Sequence, residues 1–233
     1  MVPAAADSVY ATSAVRCECQ LAHRAEELLA DAAIPSRYQH CTLDNFDLPD
    51  GNRELLLAHR QAVAYARDYP GMIDRDRSGL LLLGSVGTGK THLAVAVVRQ
   101  LLDRGIACGF CDYRELLKRI QATFDPANPA TESSVVNPLL QVEVLLLDDL
   151  GVGRATEWAM ETLHFLLNHR YSHRLATLVT TNLEDGDTAL DRKDITLVQS
   201  IGERLRSRLY EMCVFIPMHG GDFRRATAAP LVR

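Results

Sequence analysis

One glycine-rich turn constrains the fold of this chain more than any other stretch of its sequence. Residues 84–91 read Gly-Ser-Val-Gly-Thr-Gly-Lys-Thr, and they match the pattern G-x-x-x-x-G-K-[ST] at every fixed position. An apolar run, 79–83, precedes the turn, and a predicted helix, 90–104, follows it. In that context the glycines let consecutive backbone amides point inward around a phosphate at a helix N-terminus. The alternative is a glycine-rich turn without a ligand, which the complete motif and both flanks disfavour.

The end of this loop carries the side chains predicted to act on a bound nucleotide. Lys90 would reach the β and γ phosphates of ATP, and the Thr91 hydroxyl would ligate Mg²⁺. The predicted nucleotide contacts continue one residue into the helix. They are Gly84, Ser85, Val86, Gly87, Thr88, Gly89, Lys90, Thr91 and His92.

Short apolar runs alternate with amphipathic segments along the rest of the chain. This alternation predicts an α/β fold, a P-loop NTPase with a five-stranded parallel sheet between helices. The predicted strands are 79–83, 107–111, 142–147, 177–181 and 213–217. The predicted helices are 24–33, 53–69, 90–104, 113–124, 157–174 and 201–209. Residues 125–138, rich in Pro, Asn, Ser and Thr, are predicted to form a loop.

Polar side chains follow two of the predicted strands. Asp148 and Asp149 come directly after the buried run 144–147. Asp148 would hold Mg²⁺, and Asp149 would orient and polarise the attacking water. Adjacent acids also occur in solvated turns, but the loop upstream favours the metal-binding interpretation. Asn182 ends the next strand and is predicted to donate a hydrogen bond to the γ-phosphate or the attacking water, although asparagine is also a common turn former.

Two arginines late in the chain are spaced four residues apart. Arg204 and Arg208 therefore fall on one face of a predicted helix. An arginine from a neighbouring subunit can stabilise charge on a transferred phosphoryl group. Both are predicted to be catalytic, with Arg208 preferred because it lies just before the last strand. The alternative, a solvated basic face paired with Glu203 and Glu211, stays open on the residues alone.

Composition and charge limit the remaining function classes. The net charge of −5 argues against a protein that coats nucleic acid by bulk electrostatics. The first residues lack both a basic start and an apolar core, and runs such as 80–83 are too short to span a bilayer. We therefore expect a cytoplasmic protein without a membrane partner. Its six cysteines would be reduced in that compartment.

Together these motifs resemble the bacterial helicase loaders of the DnaC and DnaI type and their relatives, the IstB-type transposition ATPases. The resemblance covers most of the chain. It is carried by residues 84–91, 145–151, 156–158, 168–171, 180–183 and 203–209, with 34–38 and 222–224 in addition.

This resemblance implies an AAA+ core at residues 51–233 and a short N-terminal partner-binding segment at 1–50. It implies an ATPase that loads the replicative DNA helicase, self-associates with ATP into an open ring or spiral, and contacts single-stranded DNA. The alternative within the same fold is a helper ATPase of a DNA transposase. As in the loaders, the stretch after Asn182 is too short for a full C-terminal helical lid. Arg224 is a candidate to replace part of the lid's function.

The N-terminal cysteines depart from the pattern of those relatives that carry a zinc module. Cys17 and Cys19 offer two thiols, which do not close a tetrahedral zinc site. Zinc held by these two with Cys41 and one histidine is one interpretation. A truncated remnant of the module, or plain thiols, is the other.

One predicted helix could bring positive charge and a stacking ring to a single DNA strand. The alternative is an amphipathic helix with a solvated basic face and a buried Phe124. The residues concerned are Arg114, Lys118, Arg119 and Phe124.

Overall fold

A five-stranded parallel sheet forms the centre of the molecule. The computed structural model describes residues 27–71, 77–151, 156–185 and 195–226. The sheet order is β2-β3-β4-β1-β5, and every neighbouring pair is parallel. The predicted α/β fold with five parallel strands is therefore confirmed. The strands are β1 (Gly79–Leu83), β2 (Cys108–Asp112), β3 (Val144–Asp148), β4 (Ala176–Thr181) and β5 (Cys213–Pro217).

Helices cover both faces of this sheet. On one face lie α1 (Arg53–Asp68) and α2 (Lys90–Asp103), together with residues 32–46. The other face is covered by α3 (Tyr113–Ala122), α4 (Glu132–Gln141), α5 (Glu157–Ser172) and α6 (Leu197–Met212). After β5 comes the short helix α7 (Phe223–Ala226).

The two halves of the core follow from the alternation of side chains along each strand. In β1, Leu80 and Leu82 pack under α1 and α2, whereas Leu81 and Leu83 pack against the opposite layer of helices. Because both faces are covered, β1 is apolar along its whole length.

Residues 32–46 belong to the first of these cores. Ala32, Cys41 and Phe46 are buried in it, and Phe110 of β2 donates its backbone N–H to the Ala32 carbonyl at 2.8 Å. Within the predicted helix 24–33, residues 27–31 are helical and 24–26 lie outside the described residues. The division of the chain near residue 50 stays a prediction.

The predicted loop at 125–138 is wrong in its second half, where α4 begins. Thr131 caps this helix, because its hydroxyl accepts the Ser134 N–H at 3.2 Å while the Ser134 hydroxyl accepts the Thr131 N–H at 3.0 Å. This reciprocal cap and a buried apolar face outweigh the polar composition and Pro138, on which the loop prediction rested. The buried side chains of α4 are Val135, Val136 and Leu140.

Helix α6 extends beyond the predicted 201–209 at both ends and is interrupted inside. A capping box between Thr196 and Gln199 starts it. Gly202 has φ 78° and ψ 157°, which is not a helical conformation. The chain therefore forms two helical halves, 197–201 and 203–212, joined at a glycine that accepts positive φ.

One arginine lies inside the fold. Arg170 of α5 is 0% exposed, and burial lowers its pKa to about 10, so it is charged at neutral pH. Its Nε donates to Thr177 Oγ1 at 2.9 Å. Its other nitrogens donate to the carbonyls of Leu139 at 2.8 Å, Val142 at 2.9 Å, Glu143 at 3.3 Å and Ala176 at 2.6 Å. The side chain thus joins α5 to the α4–β3 connection and to the start of β4.

The described helices bear on two questions, whether the chain contains a membrane-spanning helix and whether a helical lid follows β5. None of them is long and apolar enough to cross a membrane. After β5, the described part of the chain ends at residue 226 and contains no helical lid.

Candidate nucleotide-binding site

The loop at 84–91 joins β1 to the first turn of α2. Gly87 and Gly89 have φ values of 80° and 91°, a conformation that glycine adopts without strain. Space is a second constraint, since a Cβ on Gly89 would lie 2.7 Å from Cε2 of Phe46. Both glycines are therefore required by the local geometry, and the amides of the loop stand at the N-terminus of α2.

Lys90 is folded back onto this loop. Its ammonium donates to the carbonyls of Gly84 at 2.9 Å and Ser85 at 2.6 Å. Burial lowers the pKa of Lys90 to about 8, because the charged form loses hydration. Two backbone carbonyls therefore hold the ammonium at the phosphate loop.

Asp148 is the centre of a buried hydrogen-bond cluster at the end of β3. Its Oδ1 accepts from Thr91 Oγ1 at 2.9 Å and from Thr180 Oγ1 at 2.6 Å. Desolvation raises the pKa of Asp148. The predicted pair of Mg²⁺ ligands, Thr91 and Asp148, is thus brought into direct contact.

Asp149 is held by three neighbours at the same edge of the sheet. Its backbone N–H donates to Thr180 Oγ1 at 3.0 Å, and Oδ1 accepts from Asn182 Nδ2 at 2.8 Å. Nη2 of Arg114 lies 3.8 Å from Oδ2. The residue has φ 58°, a left-handed conformation uncommon outside glycine. Desolvation raises the pKa of Asp149, while the charge of Arg114 opposes that shift.

A cavity of about 610 Å³ opens over these residues. Its volume lies within the range of small-molecule sites, about 300–1,000 Å³. The predicted residues on its wall are Val86, Gly87, Thr88, Gly89, Lys90, Thr91, His92, Asp148, Asp149 and Asn182. Gly84 and Ser85 are not on the wall, and their contribution is the pair of carbonyls that hold Lys90.

Part of the cavity wall comes from the segment that precedes α1. Phe46 stacks on His59, with ring centroids 5.7 Å apart, and meets His92 edge-on at 5.5 Å. Nε2 of His92 lies 2.9 Å from Asn45 Oδ1 and 3.1 Å from the Thr42 carbonyl oxygen. These contacts fix the segment against the start of α2. It also lines the cavity with Arg37, Tyr38, His40, Cys41, Asn45, Phe46 and Asp47.

The residues after β5 close another side of the cavity. Phe223 donates its N–H to the Gly87 carbonyl at 3.1 Å, and a Cβ on Gly87 would collide with the Asp222 carboxylate. Arg224 lines the cavity, and its charge lowers the pKa of Lys90, after the larger effect of burial. Arg224 is therefore placed near the phosphate loop.

Arg204 and Arg208 lie elsewhere on the molecule. Both are on the second half of α6, where Arg204 is exposed and Arg208 half-buried. Neither is on the cavity wall. The guanidinium carbon of Arg208 stands 6.0 Å from the centre of the Tyr171 ring. Their catalytic role stays a prediction that needs a second copy of the chain.

Sequence reasoning missed two contributions to the site. Arg114 was considered only for DNA, although the Asp112 cap at the end of β2 places it in the first turn of α3. The pairing of β2 with β3 brings that turn beside Asp149. For the segment at 37–47 no motif signalled a cavity wall, because its contacts are long-range.

No zinc ligand set is found in the described ranges. Cys17, Cys19 and His23 lie outside them, and Cys41 is buried at 1% exposure. No group of three or more His, Cys, Asp or Glu side chains within those ranges is arranged to hold a metal ion.

The phosphate loop, the acid pair at the end of β3 and the polar residue after β4 together define a P-loop nucleotide-binding protein. The family model described as IstB-like ATP binding protein matches residues 26–229. The chain belongs to this ATP-binding family.

The predicted resemblance to helicase loaders is also confirmed by individual relatives. The uncharacterized protein YqaM of Bacillus subtilis is 29% identical over 87% of this chain and 62% of its own length. The replicative helicase loader DnaC of Buchnera aphidicola subsp. Baizongia pistaciae is 23% identical over 70% of this chain and 64% of its own. The chain thus spans less than two thirds of both relatives. A crystal structure of the DnaC helicase loader superposes with a TM-score of 0.65 and 27% identity, covering 79% of this chain and 100% of that one.

Proposed function

We propose that this chain binds ATP with Mg²⁺, hydrolyses it at an interface between copies, and uses this cycle to load the replicative DNA helicase. The hydrolytic part rests on one observation: Asp149, hydrogen-bonded to Asn182, stands beside the contact between Thr91 and Asp148. The loader part is supported by the similarity to proteins named DnaC.

The side chains divide the work of hydrolysis between them. The ammonium of Lys90 leaves the carbonyls of Gly84 and Ser85 for the β and γ phosphate oxygens, where it balances their charge. Asp149 accepts a hydrogen bond from the attacking water and aligns it with the γ-phosphorus. One amide N–H of Asn182 keeps that carboxylate in place, and the other points toward developing negative charge.

The residues present fit a magnesium ion. Thr91 Oγ1 and Asp148 Oδ1 are hard oxygen donors 2.9 Å apart at the phosphate loop, and Mg²⁺ prefers such ligands together with phosphate oxygens. Bound there, the ion would draw negative charge from the β and γ phosphates. Thr180, through its hydrogen bond to Asp148, orients the carboxylate for this contact.

The wall formed by the segment at 37–47 suits the base of the nucleotide. It offers the ring of Tyr38 and polar groups such as Asn45 next to the phosphate loop. Aromatic and polar side chains of this kind contact the flat faces and edges of a base. We assign this wall to the adenosine part of ATP.

Two arginines of α6 would complete the site of a neighbouring copy. Because Arg204 and Arg208 do not line their own cavity, they can contribute to catalysis only in trans. Arg208 is the first candidate and Arg204 the second. This arrangement requires self-association into an open ring or spiral when ATP is bound.

Single-stranded DNA is the nucleic-acid partner of this proposal. Phe124 is 59% exposed, and its ring meets Trp158 edge-on with centroids 5.6 Å apart. Lys118 and Arg119 are exposed on α3, which ends two residues before Phe124. Stacking on Phe124 with charge from these two residues suits a single strand. Arg114, by contrast, faces Asp149.

A helper ATPase of a DNA transposase is the second candidate function. The family match, described as IstB-like, favours it as much as it favours a loader. Both functions use the same nucleotide site, so the partner has to separate them.

Two variants test the hydrolytic proposal. We expect Lys90→Ala to lose nucleotide binding. We expect Asp149→Asn to bind ATP like the wild type and to hydrolyse it about 100-fold more slowly or worse, as for loss of a catalytic base. Binding is measured with a fluorescent ATP analogue, and turnover under single-turnover conditions. Turnover at the wild-type rate in Asp149→Asn would overturn the role of that residue.

A pull-down from the native host tests the partner. The tagged protein is used with ATP and Mg²⁺, and Lys90→Ala protein is the matched control. Recovery of a replicative helicase by the wild type alone supports the loader, whereas recovery of a transposase supports the second candidate.

A further inference from the structure

The four residues that follow β4 touch both the nucleotide site and α6. We call residues 182–185 the sensor segment, since it begins with Asn182. Asn182 holds Asp149. Two residues on, the backbone carbonyl of Glu184 accepts a hydrogen bond from the N–H of Leu197, the first residue of α6, at 2.9 Å. The segment therefore links the proposed catalytic carboxylate to the start of that helix.

The first half of α6 is fixed to the nucleotide site by a second contact. The Ser200 hydroxyl donates to the Gly151 carbonyl at 2.9 Å, and a Cβ on Gly151 would lie 2.8 Å from that hydroxyl. Gly151 is two residues beyond Asp149. Residues 197–201 are thus hydrogen-bonded to the segments that follow β3 and β4.

The second half of α6 is fixed by a different cluster. Arg206 Nε lies 2.5 Å from Asp185 Oδ1, and the Tyr210 hydroxyl donates to the other oxygen of the same carboxylate. The Asp185 side chain is 6% exposed and that of Arg206 is 29% exposed. Tyr210 also stacks on Phe215 of β5, with centroids 4.0 Å apart.

Gly202 separates these two halves. Its non-helical φ and ψ interrupt the run of α6, so the direction of residues 203–212 is not dictated by residues 197–201. Buried Leu205 and Leu209 seat the second half on the core, and the Asp185 cluster is its polar link to the sensor segment. Both exposed Arg204 and half-buried Arg208 lie on this half.

We propose that Arg206 is a positioning residue: through Asp185 it ties the second half of α6 to the sensor segment and so sets Arg208 for the nucleotide of a neighbouring copy. This inference rests on the proposed function, in which Arg208 acts in trans. Arg206 does not itself contact the neighbour's nucleotide, because its guanidinium is already hydrogen-bonded to Asp185. A change in the position of Asn182 when ATP binds or is hydrolysed is then transmitted to Arg208, which contacts the nucleotide of the next subunit.

Mixing experiments separate this role from a general structural one. Lys90→Ala protein supplies an intact α6 without a working nucleotide site, and Arg208→Ala protein supplies a working site without the trans arginine. Their mixture is expected to regain ATP hydrolysis that neither has alone. Adding Arg206→Gln to the Lys90→Ala protein is expected to reduce this regained rate about tenfold or more, since a displaced catalytic group costs on that order.

The same substitution placed in the Arg208→Ala protein is expected to change the regained rate less than about twofold, because that copy offers no trans arginine. Ser207→Ala, an exposed neighbour on the same helix, is the matched control and is expected to leave the rate unchanged. Asp185→Asn in the Lys90→Ala protein should reproduce the Arg206→Gln loss, and the two together should lose no more than either. Arg206→Lys should restore part of the rate. Circular dichroism confirms that each protein is folded.

Two outcomes would overturn the inference in distinguishable ways. If the starting mixture regains no hydrolysis, the trans role of Arg208 fails and the inference fails with it. If the mixture regains hydrolysis and Arg206→Gln has equal effects in both copies, or none, the trans role stands and the positioning role of Arg206 is wrong. Should Arg206→Gln not fold, Asp185→Asn and Arg206→Lys decide between these outcomes.

Discussion

The side-chain amide of Asn182 donates a 2.8 Å hydrogen bond to Oδ1 of Asp149. This bond joins the ends of two adjacent strands, β4 and β3, at the edge of the sheet where the phosphate loop lies. The other carboxylate oxygen of Asp149, Oδ2, faces Arg114. The proposed base, Asp149, and the proposed sensor, Asn182, are therefore coupled, so a substitution of either alters the position of the other.

We predict that Asn182→Ala lowers the single-turnover rate of ATP hydrolysis about tenfold or more and leaves ATP affinity nearly unchanged. The substitution removes the amide that holds Asp149 and that would face the charge developing in the transition state. Asn182→Asp should be slower still, because it places a second negative charge beside Asp149. A loss of affinity without a loss of rate would contradict this assignment.

Arg114 is predicted to restrain Asp149. The guanidinium lies 3.8 Å from Oδ2 of Asp149 and its side chain is 53% exposed. Removing this competing charge should free the carboxylate for water, so Arg114→Gln is expected to hydrolyse ATP a few-fold faster than wild type in steady-state assays. The expected increase in rate is small because the ion pair between Arg114 and Asp149 is partly solvated.

Lys118→Gln is the control for that measurement. It makes the same charge change one turn further along α3, at a side chain that is exposed. Measured in the absence of DNA, its basal hydrolysis should match the wild type. A slower rate in Arg114→Gln would show that the arginine assists Asp149 instead of restraining it.

Local patterns predicted the fold, and they also indicated that Thr91 and Asp148 lie close together. The strand β1 runs directly into the loop at 84–91, and β3 runs directly into the acid pair. The ends of parallel strands meet at one edge of a sheet. Asp148 contacts Thr91 for that reason, although the two are 57 positions apart.

Features set by tertiary contacts were not predictable in the same way. Helix α4 is stabilised by its Thr131 cap and by burial against the core, and composition alone suggested a loop. Phe46 reaches Gly89 only because residues 32–46 pack beside α1 and α2. The pairing of Arg206 with Asp185 likewise depends on how α6 is seated, whereas helical spacing showed only that Arg204 and Arg208 share a face.

Arg170 is predicted to contribute strongly to stability. Its guanidinium is buried and donates to Thr177 and to four carbonyls, so Arg170→Met would remove all of these hydrogen bonds. We expect a loss of about 3 kcal/mol or more in the free energy of unfolding, measured by urea denaturation. Arg170→Lys should lose less, because an ammonium keeps the charge and three donors.

The exposed Arg60 of α1 supplies the matched comparison for Arg170. Arg60→Met removes the same chemical group from a surface position and should change the free energy of unfolding by less than about 1 kcal/mol. Equal losses in the two variants would show that the buried hydrogen bonds are not the source of the effect.

His219 is predicted to make stability depend on pH. Its Nε2 lies 3.1 Å from both carboxylate oxygens of Glu184, and its Nδ1 lies 2.7 Å from Glu54 Oε1. The hydrogen bond to Glu184 raises the pKa of His219 most, and the bond to Glu54 adds to it against partial burial. A histidine that meets a carboxylate at each ring nitrogen uses both nitrogens as donors only when it is protonated.

The direction of the effect follows from the raised pKa. The stabilising contribution of His219 is fully present below the pKa of an unfolded histidine, about 6.5, and is lost as the pH rises through the higher folded value. The stability gap between wild type and His219→Gln should therefore be larger at about pH 6 than at about pH 9. The gap should not exceed about 1 kcal/mol, because all three side chains are more than one third exposed.

Urea denaturation of both proteins across this pH range measures that gap. Glu184→Gln is the second variant, because it removes the larger cause of the pKa shift and keeps the histidine. In that background, the additional change His219→Gln should produce a smaller gap with a weaker pH dependence. A gap that stays constant or grows from pH 6 to pH 9 would show that the imidazole is neutral in the folded protein and that His219 joins α1 to the sensor segment without a charge.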